Sequence, residues 1–224
     1  MDVESPKTSS KKNTVVLSQN EQAYETLQHC LTTLVYKPGE YLNIAVLMND
    51  LELGRTPINH ALHRLANEGL VQIIPRKGVM VSPLSIDEGL QMIEVRLANE
   101  KLCARLAVPS ITADEIDQLK SVNFAYMKAV ANRDVPEMME LDRKFHELLA
   151  AASRNQVLAE VLRVLHSKSQ RFWAISLSKS GHMHEVQNEH EAVVEALERS
   201  DMEAAEKAIA EHIISFKNAL VRGG

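Results

Sequence analysis

The stretch LGRTPINHALHRLANEGLVQIIPRKGVMVSPLS, residues 53–85, restricts the fold more than any other part of the chain. It holds a helix pattern with both ends marked, followed by two short β runs. Thr56 is placed to cap the helix, Pro57 suits a first helical position where its missing N–H leaves nothing unpaired, and Gly69 suits the exit. Ile58, Ala61, Leu62 and Leu65 recur at helical spacing and predict the buried stripe. Val71 to Ile74 and Val79 to Val81 read as strands around the turn signal Pro75-Arg76-Lys77-Gly78. Upstream, Ala23, Leu27, Cys30, Leu31 and Leu34 share a helical face stopped by Pro38-Gly39, and a second helix falls within NIAVLMNDLEL. Three short helices closed by a two-stranded hairpin predict a winged helix-turn-helix over residues 19–84.

From Ser85 onward the strand signal disappears. Ile86, Leu90, Ile93 and Leu97 mark a helix that ends before Pro109. Capping-box patterns open the next two, Thr112 to Glu115 and Asp134 to Glu137, and three more follow at about 155–177, 181–199 and 201–221. Aromatic residues make up only 4% of the chain while Leu, Ala, Glu and Met are plentiful, which favours helices packed on helices over a β sandwich. The expected fold class is therefore mainly α: a winged domain, then an antiparallel six-helix bundle over 85–224, divided near Pro83-Leu84-Ser85. Residues 1–18 are polar, without the apolar run of a signal peptide, and read as a disordered tail. No apolar run is long enough to span a bilayer, and Cys30 and Cys103 sit in helical apolar patterns without a neighbouring thiol. Both are expected to be buried and reduced, which suits a cytoplasmic protein.

In a helix-turn-helix the second helix lies in the major groove and its leading residues reach base edges. Arg55, Thr56, Asn59, His60 and His63 are the candidates here; arginine grips guanine and asparagine adenine in bidentate fashion. Arg64, Arg76, Lys77 and the amides near Gly78 are expected to hold phosphates. The formal net charge of −5 excludes a chain that coats nucleic acid along its whole length. Within residues 20–85 acids outnumber bases six to five, so affinity must rest on a few placed cations and on doubling the site through a dimer. Lys7, Lys11 and Lys12 in the tail are a further basic group.

The same stretch resembles the GntR winged-helix signature, in which Arg-Thr-Pro opens the recognition helix and Glu-Gly-Leu-Val leads into the wing. The residues after 85 resemble the all-helical ligand-binding domain of the FadR subfamily, called FCD, in its six-helix, VanR-like branch. The resemblance implies a homodimeric, ligand-responsive bacterial transcription regulator, usually a repressor. One departure stands out: the family commonly has Arg-Glu where this chain has Asn59 and His60. The base sequence it reads does not carry over from relatives.

A polar set interrupts the apolar faces of the bundle. Met138, Leu141, Phe145 and Leu148 or Leu149 form one stripe, flanked by Asp142 and His146 one turn apart. His190 falls in the stripe Val186, His190, Val193, Leu197, and His212 in the stripe Ala205, Ile209, His212, Phe216. Buried polar groups need partners, and one cation satisfies a carboxylate and three imidazoles together. Such a set suits Zn²⁺ first, with Ni²⁺, Mn²⁺ or Fe²⁺ as alternatives. The FCD resemblance points the same way, because the family's Asp-x-x-x-His pattern plus one histidine from each of the last two helices matches Asp142, His146, His190 and His212. It further implies a small organic acid effector near the metal, with Arg96 as a pocket arginine and His166, Arg171, Trp173 and Asn188 as further lining residues. Arg96 also reads as a surface partner of Glu100, four residues on. His182 and His184 read as solvent-facing.

Three functions fit these residues. The first is a repressor whose operator affinity changes when the bundle binds a metal and a carboxylate effector. The second keeps the DNA binding but makes the metal itself the signal. The third is a helical metalloenzyme, for which the sequence offers no nucleophile elbow, phosphate loop or general base: Glu147 lies next to His146 but points away from it on a helix. The first is preferred and the chain is not expected to be an enzyme.

Overall fold

The first helix, α1 (Gln19–Thr32), starts where the Ser18 hydroxyl accepts a hydrogen bond from the Glu21 amide and buries Ala23, Tyr24, Leu27 and Leu31. The computed structural model describes residues 17–177 and 183–223. The tail lysines and His182 lie outside the described residues, as does the side chain of His184. Helix α1 ends well before Pro38-Gly39, because Leu34 turns the chain through a left-handed conformation at φ 62°. Cys30 is only partly buried, against expectation, whereas Cys103 is fully buried; both are free thiols.

Asn43 caps α2 (Ile44–Asp50) through its side-chain carbonyl, and α3 (Arg55–Asn67) buries Pro57, Ile58, Ala61, Leu62 and Leu65. The predicted cap of α3 is corrected. Gly54 occupies that position, no side chain caps the helix, and Thr56 is already inside the first turn. The stripe places the helix as expected, but its start lies two residues earlier. Gly69 leaves the helix at φ 77°, a conformation glycine adopts without strain.

The hairpin is β2 (Val71–Ile74) and β3 (Gly78–Val81), antiparallel with Val71 opposite Val81 and Ile73 opposite Val79. A third strand, β1 (Tyr41–Leu42), pairs with β3 and gives the order β1-β3-β2. Two residues carry no alternation to read, so the sequence predicted only the hairpin.

Six helices follow among the described residues: α4 (Ile86–Ala107), α5 (Ala113–Asn132), α6 (Val135–Ala152), α7 (Gln156–Leu177), α8 (Met183–Glu198) and α9 (Met202–Gly223). The reciprocal Thr112–Glu115 capping box opens α5, and Asp134 accepts from the Glu137 amide at the start of α6. Helix α4 packs on α9 and α7, α5 on α6 and α8, and α8 on α9. The hydrophobic residues form two clusters, one from Ala23 to Val81 and one from Met92 to Leu220. The stripe of α4 differs from the predicted one: Gly89, Met92, Ile93, Arg96, Glu100, Cys103, Ala104 and Ala107 face inward, and Ile86 is exposed. That rotation carries two charged residues into the interior. No helix among the described residues is long and apolar enough to cross a membrane.

Candidate metal centre and nucleic-acid interface

Helix α6 presents Asp142 and His146 one turn apart, α8 presents His190 and α9 presents His212. One ligand atom from each lies within 4.8 Å of all the others. The His146 and His212 Nε2 atoms are 3.1 Å apart, and Asp142 Oδ1 is 3.5 Å from His190 Nε2 and 3.9 Å from His146 Nε2. Donors held about 2.0–2.2 Å from a zinc ion lie about 3.0–3.5 Å from one another, so these spacings suit a shared cation. His190 is 0% exposed, and neither of its ring nitrogens has a hydrogen-bond partner. Two orphaned polar atoms in a packed interior demand a partner. The donor set and this orphan both fit a divalent metal.

The imidazoles are aimed by carboxylates from behind. Glu100 Oε2 lies 2.8 Å from His146 Nδ1, and Glu189 Oε2 lies 2.8 Å from His212 Nδ1. Each carboxylate fixes its ring so that Nε2 faces the common point, as metal-binding histidines require. The His190 ring stacks on Phe145, centroids 3.9 Å apart and planes within 4°. Burial pulls His190 down to about 4, despite Asp142 close by, so the imidazole is neutral with a free lone pair at physiological pH. Burial pushes the Asp142 carboxyl up, but the surrounding His190, His146 and His212 overcome it and hold it below the usual range.

Glu100 has a second role. Its Oε1 accepts from Arg96 Nε at 2.8 Å and lies 2.9 Å from His166 Nε2, while Arg96 also donates to Ser169 Oγ at 2.9 Å. Burial pushes Glu100 up, yet Arg96, His146 and His166 hold it well below the usual carboxylate range. Arg96 and Glu100 are thus a buried pair beside the metal ligands rather than a surface pair. Neither Glu100 nor Glu189 was singled out from the sequence. Glu100 carried a usable signal, since it shares an inward stripe with Ile93, Arg96 and Cys103, but a glutamate four residues after an arginine reads first as an exposed pair.

A small cavity of about 20 Å³ opens beside the ligands, lined in part by Arg96, Asp142, His166, Trp173, His212 and Phe216. Of the predicted effector residues, Arg96, His166 and Trp173 line it. The other two are placed elsewhere: Asn188 is exposed on α8, and Arg171 reaches away to the Ser82 carbonyl at the base of the wing. Glu147 pairs with Arg143 and faces away from the ligands.

On the winged half, Arg55, Thr56, His60 and His63 are exposed and Asn59 partly so, all on the outer side of α3. The wing turn exposes Arg76, Lys77 and Gly78, with Arg76 and Gly78 at positive φ. Arg64 is partly exposed, pairs with Glu21 at 3.0 Å and lies over the Tyr24 ring, 3.4 Å from its centroid.

Residues 19–81 match the model of the bacterial regulatory proteins of the gntR family, and residues 91–215 match the FCD domain. The chain belongs to the GntR family. Like other GntR regulators carrying an FCD domain, it is a DNA-binding transcription regulator and not an enzyme. It is 26% identical over 194 residues to the HTH-type transcriptional repressor RspR of Escherichia coli strain K12, covering 87% of this chain and 85% of that one. It is 31% identical over 136 residues to the Nta operon transcriptional regulator of Aminobacter aminovorans, covering 61% and 63%. Among solved structures, E. coli McbR/YncC superposes with a TM-score of 0.85 at 20% identity, covering 92% of this chain and 99% of that one. A putative GntR regulator from Rhodococcus sp. RHA1 gives 0.75 at 15% identity, covering 93% and 100%.

Proposed function

We propose that this GntR regulator is a cytoplasmic homodimeric repressor whose bundle holds a divalent metal on Asp142, His146, His190 and His212. A small carboxylate effector that docks on the metal alters operator affinity. The observation that carries the metal assignment is His190: fully buried, neutral, and without a hydrogen-bond partner on either nitrogen. Zn²⁺ is the first candidate for a site of three imidazoles and one carboxylate, with Ni²⁺, Mn²⁺ or Fe²⁺ as alternatives. When bound, the cation supplies a Lewis-acid docking point. Arg96, already oriented by Glu100 and Ser169, stands at the edge of the same cavity with Trp173 to pair with the acid. The similarity to RspR, named a transcriptional repressor, supports repression here. Exposed apolar pairs on the packed helices α4 (Val95, Leu102) and α9 (Ile214, Val221) supply surface that a second copy would cover. Arg55, Thr56, Asn59, His60 and His63 would face base edges, and Arg76, Lys77 and Gly78 the phosphates.

One observation favours a second reading, in which the metal alone is the signal. The cavity beside the ligands has room for little more than one water. Elemental analysis of purified protein, followed by operator titration with metal added, removed, and supplemented with small organic acids, separates the two. Affinity that tracks the acids supports the effector reading. Affinity that tracks only the metal supports the second. A protein without stoichiometric metal, whose affinity ignores both, defeats both.

A further inference from the structure

The wing meets the bundle around a second cavity, of about 260 Å³, that the metal centre does not use. Gly69, Val71, Ser82 and Pro83 approach from the winged side, and Met92, Lys168, Arg171 and Phe172 from α4 and α7. Its size falls just below the roughly 300 Å³ at which ligand pockets begin, so it suits a molecule of a few carbons.

Arg171 makes this cavity unusual. It is 2% exposed, donates one hydrogen bond to the Ser82 carbonyl, and its Nε–H has no acceptor. No carboxylate among the described residues lies within ion-pair distance of it; Glu88, which lines the same cavity, favours its charge from farther off. Burial pulls its guanidinium down only to about 10, so the charge persists at neutral pH. A buried cation with a free donor, balanced only by a more distant and exposed carboxylate, is a costly arrangement unless an anion completes it. Lys168, one turn earlier on α7, adds a second positive charge at the cavity. It pairs with Glu88, 3.6 Å away and 60% exposed. The apolar part of the lining is Val71, Leu84, Met92 and Phe172.

We propose that this junction cavity binds a small organic acid, its carboxylate held by Arg171 and Lys168 and its short apolar body set against Val71, Met92 and Phe172. The site is separate from the metal centre and does not rest on it. An acid lodged there touches α7 and the wing at once, and so fixes how the DNA-reading domain sits on the bundle.

The test follows the Arg171 Nε–H signal by NMR in full-length protein, identified by its loss in Arg171→Lys. Butyrate is the probe, with n-butanol as its neutral counterpart and inorganic phosphate as a bare anion. A saturable shift with butyrate, absent with butanol and weaker with phosphate, is expected. Arg171→Lys and Lys168→Met, read by calorimetry, are each expected to weaken butyrate binding by about tenfold, the effect of one lost charge-assisted contact. Glu88→Gln, at an exposed position that leaves the core untouched, is expected to tighten it by removing a competing carboxylate. Asp142→Asn is expected to leave it unchanged. No saturable shift at tens of millimolar, an equal response to butanol, or equal binding of phosphate would overturn the assignment. So would butyrate binding that disappears in Asp142→Asn, which places the acid at the metal instead.

Discussion

His190 has no hydrogen-bonding reason to be where it is, and its ring is held flat against Phe145 regardless. Its replacement therefore separates metal binding from packing. His190→Ala is expected to remove stoichiometric metal, checked by elemental analysis after dialysis, while the circular dichroism of the bundle persists. Glu189→Gln keeps the ring contact but weakens the orienting charge on His212, and is expected to lower metal affinity by about 10–100-fold in a competition titration. Protons act on the same residues. His190 and His166 have folded values of about 4, well below that of an exposed imidazole, each with burial as the first cause. The unfolded chain then binds more protons between about pH 6.5 and 4, so their contribution to stability is present above that window and lost as pH falls through it. Asp142 and Glu100, both depressed, lose theirs at still lower pH. His146 has the opposite sign: Glu100 raises it against burial, so its contribution is present at low pH and lost as pH rises through its folded value. Between pH 7 and 4.5 the two depressed histidines outweigh the one raised. The metal-free protein is expected to melt at progressively lower temperature from pH 7 to 4.5, and His166→Gln to flatten that fall. A melting temperature independent of pH over this range contradicts the assignment.

Helix α7 is the element that joins the halves. Arg163 on α7 donates to Tyr24 Oη and, at 2.9 Å, to Glu68, and Gln28 on α1 donates to Ser167 Oγ at 3.0 Å. Glu68 is 7% exposed, so it leans on these partners. Arg163→Met is expected to cost about 1–2 kcal/mol in urea unfolding, discounted because the arginine is partly exposed, and to speed proteolysis between the halves. None of this was legible in the sequence, because contacts between elements about a hundred residues apart leave no periodic trace. The elements themselves were legible. The stripes of α6, α8 and α9 gave the three histidine positions, since a polar residue at a core register stands out against its apolar neighbours. Helix α4 misled, because its inward face carries Arg96 and Glu100 and periodicity assigns charges to solvent. The start of α3 misled for a different reason: Thr56 is the better cap by side chain, yet Gly54 holds the extended backbone conformation the position needs.

For the molecule as a whole, reading DNA rests on few cations. Arg64 also engages Glu21 and Tyr24, so on the proposed function the groove face would depend chiefly on Arg55 and the wing on Arg76 and Lys77. Arg55→Ala is expected to cost about 1–3 kcal/mol in operator binding and to relax preference at one base position. Lys77→Ala is expected to weaken all sequences alike and to lower the salt slope by about one. Fluorescence anisotropy at several ionic strengths distinguishes the two, and a uniform loss for both variants removes Arg55 from the bases. The placement of Arg163 and His166 on one helix has a further consequence. Three residues, about 4.5 Å along the axis, separate the side chain that grips the reading domain from the one that touches Glu100 behind the histidines. On the proposed function, sensor and reader would share one helix, and a message between them would travel less than one helical turn.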